Sequence, residues 1–140
     1  MPRRRAINSN ENSREEQIFY HIDLDWYQEN DRSFSAFVCS RLCREHRQGQ
    51  EEPSRILGIL RDCCSKQGAF LSQSLPLLES VFRLILASAN EPISLDEIVQ
   101  RLTELRRTSI DSGMLRRLLD HDEFYGLRSL PVESTKEKNS

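Results

Sequence analysis

No stretch of this 140-residue chain approaches the ~20 consecutive apolar residues that a membrane-spanning helix requires, so no membrane partner is expected. After Met-Pro-Arg-Arg-Arg the sequence turns to polar Asn, Ser and Glu instead of the apolar core of a secretory signal, and a cytoplasmic location is the expectation. Charge of one sign is also lacking. Twenty basic against 22 acidic residues give a net charge of −2, which leaves no bulk positive excess to hold a polyanion. The five glycines are scattered singly, which excludes a glycine-rich phosphate loop and a Gly-x-Ser-x-Gly elbow, and there is no His-Glu-x-x-His pair. His21 beside Asp23 and Asp25, or Cys43 beside His46, can be drawn as catalytic sets, but a histidine beside aspartates is far more often surface polarity and nothing else in the sequence supports the Cys-His pair. The expectation is a protein that is not an enzyme.

What the chain does have is enough apolar material, 37% of its residues, for one modest core. Residues 1–16 are charged and rich in Asn and Ser and read as a disordered arm; residues 131–140, after Leu130, read as a disordered tail. Between them, residues 17–74 read as an N-terminal helical segment. Residues 18–27 gather four of the aromatic side chains and fit both a period of two and a helical stripe; helix is favoured because Glu15-Glu16-Gln17 precede the run. Phe34, Phe37, Val38 and Leu42 form the stripe of a following helix expected to reach about Arg44, and Pro53 opens another with Ile56, Leu57, Leu60 and Cys64 on its buried face.

The second part, residues 75–130, is more legible. Leu78, Val81, Phe82, Ile85 and Ala89 hold one face of a helix that is apolar around most of its circumference, so it should be central. Ser94-Leu95-Asp96-Glu97 is a capping box opening a second helix, and a third starts near Ser109 or Asp111. Residues 124–130 read as one strand. Leu78, Val81, Phe82, Ile85, Ile98, Leu102, Leu115, Leu118 and Phe124 are the expected common core. The fold class expected is therefore mostly α.

The order of long helix, capped helix, short connection, third helix and aromatic strand resembles a winged helix-turn-helix. Pro92-Ile-Ser-Leu-Asp-Glu-Ile-Val-Gln100 is similar to the entry into that fold's second helix. Met114-Leu-Arg-Arg-Leu-Leu-Asp-His-Asp-Glu-Phe-Tyr-Gly-Leu127 is similar to its third helix running into the first wing strand, in the manner of the bacterial RNA polymerase delta subunit. Only one strand follows the third helix, so the resemblance implies a short or missing wing. It also implies that the third helix presents Arg116 and Arg117 to a partner, with Arg106, Arg107 and Arg128 available for phosphates if that partner is DNA. Against DNA, residues 90–128 hold six arginines and eight acids. The function expected is a non-catalytic regulatory or adaptor protein that binds another protein through this face. The alternatives are a sequence-specific transcription regulator and a zinc-stabilised interaction module.

The zinc alternative rests on Cys43-Arg-Glu-His46, whose spacing lets thiolate and imidazole converge, and on Cys63 and Cys64, which lie 17 residues beyond His46. Cys39 can replace Cys64, since Cys39, Cys43 and His46 share a helical face. The other reading is that these cysteines fill the core as free thiols. Between Arg32 and Lys66 seven basic and four acidic residues form the one locally basic zone, with Arg41, Arg44 and Arg47 at helical spacing.

Overall fold

The computed structural model describes residues 18–42, 52–68 and 70–130. In chain order these residues form β1 (Phe19–Ile22), α1 (Leu24–Glu29), α2 (Phe34–Cys39), α3 (Pro53–Asp62), a 3-10 turn (Cys64–Lys66), α4 (Leu77–Ala87), β2 (Ile93–Ser94), α5 (Leu95–Arg106), α6 (Ser112–Asp120) and β3 (Leu127–Leu130). The fold is mostly α with one small antiparallel sheet, ordered β2-β1-β3.

The helix expected over residues 18–27 is corrected: the segment is a strand followed by a two-turn helix. Tyr20 and Ile22 point inward with 0% and 1% exposure while Phe19 and His21 are half-buried, so the period of two wins in the first half. Asp23 makes the change of structure. Its N–H donates to Gly126 O at 2.8 Å as the last rung beside β3, and its carboxylate accepts the Asp25 N–H at 3.1 Å to cap α1.

β1 lies at the centre of the sheet, so the first segment of the chain completes a sheet whose other strands come from the second. Ile22 runs past the short β2, and Asn90 substitutes for the missing strand. Its side-chain amide accepts the Ile22 N–H at 2.8 Å and donates to Ile22 O at 3.0 Å. Asn90 reaches that position because Ala89 and Asn90 both take left-handed backbone at the end of α4, with φ of 57° and 66°.

Around this sheet the helices are set by short capping residues. Ser33 accepts the Ala36 N–H to start α2, Ser94 accepts the Glu97 N–H to start α5, and Asp111 accepts the Met114 N–H to start α6. α2 ends at Cys39 instead of near Arg44, and Leu42 still reaches the core from the turn that follows. α4 is central as its composition demands: Val81, Phe82, Ile85 and Leu86 are fully buried.

Three expected core members are not buried. Leu78 is only partly covered, at the flank of α4. Leu118 is 40% exposed, because α6 touches the core through Leu115 and Leu119; at 3.6 residues per turn Leu118 sits about 80° round from their mid-line. Phe124 is 54% exposed. Its displacement follows from Asp122, whose buried carboxylate accepts the N–H groups of Phe124, Tyr125 and Leu127 at 3.0–3.2 Å. That wraps residues 122–127 into a turn, turns Phe124 outward, and delays β3 to Leu127. Gly126 completes the turn with φ of 75°, its Cα facing the Tyr27 and Trp26 rings so closely that a Cβ would lie 2.8 Å from Tyr27 Cε1.

Candidate functional site

The five arginines assigned to a nucleic-acid face do not act as one group. Arg106 is half-buried and donates to Leu75 O at 2.7 Å, fastening the end of α5 to the entry of α4. Arg116 pairs with Asp120 on the next turn of α6 at 3.7 Å, and the other oxygen of Asp120 accepts the Tyr20 hydroxyl at 2.8 Å. Burial, and then the hydrogen bond to this carboxylate, push the Tyr20 hydroxyl pKa up, so it stays a donor at any ordinary pH. Arg128 donates to the carbonyls of Asp122 and Leu127 at 2.9 and 2.8 Å, with its guanidinium 5.8 Å from the Trp26 ring. Arg107 and Arg117 remain: both are exposed and make no ion pair or side-chain hydrogen bond among the described residues. Arg107 is the left-handed cap of α5, φ 59°.

The exposed surface of α6 therefore presents Arg117 outermost, with Leu118 on one flank and the Arg116–Asp120 pair on the other. Leu118 and Phe124 are the two large hydrophobic side chains exposed among the described residues, and both belong to the α6–β3 unit. Burying them is the kind of gain a protein partner supplies.

The first outward rung of the β3 edge is taken by the same residues that shape its entry. The backbone N–H and carbonyl of Leu127 point away from β1, and both are taken: the N–H by Asp122 and the carbonyl by Arg128. A sheet edge with its first outward rung satisfied internally is a poor template for another strand.

Two polar clusters that the sequence pattern did not single out organise this side of the molecule. In the first, Glu79 of α4 receives Arg41 through Nε and Nη2 at 2.7 and 2.9 Å, Arg83 through Nε at 2.8 Å, and the Tyr125 hydroxyl at 3.0 Å. Its side chain is 10% exposed. Burial alone would raise the Glu79 pKa, but the hydrogen bonds from Arg41 and Arg83 and the charge of Arg41 outweigh it and bring it down to about 2. The same contact, added to burial, pushes the Tyr125 hydroxyl up to about 12. Arg41 is thus a tie between the end of α2 and α4, and the basic zone loses it as a surface charge; Arg44 and Arg47 lie outside the described residues. In the second cluster Arg32 lies 4.7–5.6 Å from the rings of Trp26, Tyr27, Phe37 and Phe124 and donates to Phe124 O at 2.8 Å. The aromatic density of residues 19–37 hinted at this arrangement, but its closing member, Phe124, comes from about ninety residues along the chain.

Of the zinc candidates, Cys43 and His46 lie outside the described residues. Cys63 is half-buried at the end of α3, while Cys64 is 1% exposed and packs within the core. Cys39 is half-buried on α2. Among the described residues no group of three or more His, Cys, Asp or Glu side chains converges as metal ligands do. His21 is half-buried in β1, where burial lowers its pKa against the opposing pull of Asp23. No described helix is long and apolar enough to cross a membrane. No family model, no curated protein and no solved structure matches this chain.

Proposed function

We propose that this chain is a non-catalytic adaptor or regulatory module of the winged helix-turn-helix kind, with a reduced wing, that binds a protein partner through the outward face of α6. The observation that carries the reading is Leu118, a large apolar side chain 40% exposed on that helix. A large apolar side chain left at the surface gains by burial against a protein partner. It contributes little to a helix lying against phosphates, where affinity depends on uncompensated cations. Three of the five arginines in the set are engaged within the molecule, which lowers the charge left for DNA. The single strand after α6, paired with β1, supports the winged-helix relationship in its wing-poor form.

The test is a photo-crosslinking amino acid placed at position 118 in cells, with a control at exposed Arg61. A discrete protein adduct at 118 that the control lacks is the expected result. Nucleic-acid adducts at 118, together with duplex DNA binding that weakens steeply with salt, would replace the reading with the alternative of a sequence-specific DNA-binding regulator. The exposed Arg107 and Arg117 are the specific support for that alternative.

A further inference from the structure

The connection between α5 and α6 runs Arg106-Arg107-Thr108-Ser109-Ile110. Ser109 is the one hydroxyl residue of the whole chain with arginine both two and three residues before it. A protein kinase that selects basic substrates reads such a pair with carboxylates in its peptide groove, each guanidinium making charge-assisted, often bidentate hydrogen bonds. We infer that Ser109 is a phosphorylation site for a serine/threonine kinase of this arginine-directed class.

From Arg107 onward the presentation of the segment also supports the inference. Arg107, Thr108 and Ser109 are all exposed. Residues 108–111 are outside both helices, and the extended backbone of Asp111, with φ −76° and ψ 117°, leads into α6. No hydrogen bond among the described residues ties the Ser109 hydroxyl or the backbone of Thr108 and Ser109. The left-handed Arg107 breaks α5 and separates the segment from it. Arg106 has to leave Leu75 O and Ile110, half-buried against the core, has to lift as the segment enters a kinase groove, which requires a local opening of the last turn of α5 and of this connection. By contrast Ser33, next to Arg32, is spent on the Ala36 N–H and has no second arginine before it.

In the reaction the Ser109 Oγ attacks the γ-phosphorus of Mg-ATP. A new P–O bond forms to Oγ, the bond from the γ-phosphorus to the β,γ-bridging oxygen breaks, ADP departs, and the hydroxyl proton passes to the kinase base. The product carries about −1.5 to −2 added charge at the entrance to α6. Arg117 reaches back to that entrance: a Cβ on Gly113 would lie 3.8 Å from its Nη1. Any effect on partner binding through α6 rests on the function proposed above; the modification itself does not.

The experiment incubates the folded full chain with Mg-ATP and the catalytic subunit of a cyclic-AMP-dependent kinase, and follows the mass of the intact protein. A peptide of residues 104–113 serves as the reference substrate. The expected result is one phosphate per chain, mapped by fragmentation to Ser109, abolished by Ser109→Ala, retained by Thr108→Ala, and slowed about tenfold or more by Arg107→Ala. Phosphorylation of the peptide without the folded chain would show that the fold masks the site, and would overturn the inference. Incorporation that survives in Ser109→Ala at the wild-type rate, or failure of both substrates, would do the same.

Discussion

Replacing Glu79 with glutamine keeps the shape of the side chain and removes the charge that Arg41 and Arg83 surround. Those guanidinium groups have side-chain exposures of 11% and 18%, so solvent compensates them poorly. Lowering the Glu79 pKa from 4.5 to about 2 corresponds to ~3 kcal/mol of preference for the ionised form in the folded protein. Mutational experience with broken buried pairs, ~3–5 kcal/mol, points to the same size. Because the folded pKa is depressed, the contribution is complete above the unfolded value and is lost as pH falls through the folded one. Glu79→Gln should therefore lower the unfolding free energy by ~3 kcal/mol at pH 7 in urea titrations, and the gap from wild type should shrink by about half at pH 3. A difference under ~1 kcal/mol at pH 7, or one that stays constant down to pH 3, would refute the account of this cluster as a net stabilising tie.

Phe82→Ala removes a fully buried ring that touches Phe37 and Tyr125, and should cost ~3–5 kcal/mol by urea unfolding. A loss below ~1 kcal/mol would mean that α4 is not central. Gly126→Ala introduces a methyl group 2.8–2.9 Å from the Tyr27 and Trp26 rings at φ 75°, so a loss above ~2 kcal/mol with a blue- or red-shifted Trp26 emission is expected, and an unchanged protein would contradict the turn geometry. Asn90→Gly keeps the left-handed backbone accessible but deletes the amide that pairs with Ile22. Hydrogen exchange at the Ile22 amide should accelerate by about tenfold or more while the core amides of α4 change less, and equal protection in both proteins would dismiss the role given to Asn90.

The helices of the second half, the starting cap at Ser94, a third-helix start narrowed to Ser109 or Asp111, and the central place of α4 were legible in the sequence because each depends on residues within a turn or two of one another. A capping hydroxyl or carboxylate meets an N–H three residues on, and an apolar helix circumference has no stable position except inside. The arginine pair before Ser109 is local in the same sense. What tertiary structure alone decided involves partners far apart along the chain. Residues 18–22 carried both periodicities, and β1 became a strand because β2 and β3 offer it backbone partners on both sides, with Asn90 filling the gap. Arg41, Arg106, Arg116 and Arg128 read alike as free cations in sequence. Their spending on Glu79, Leu75 O, Asp120 and the Asp122–Leu127 carbonyls depends on which chain segments pack together. Leu118 and Phe124 have the pattern of core residues, yet the narrow contact of α6 and the Asp122 turn leave them outside, because burial is settled by the surface opposite a side chain and not by its spacing.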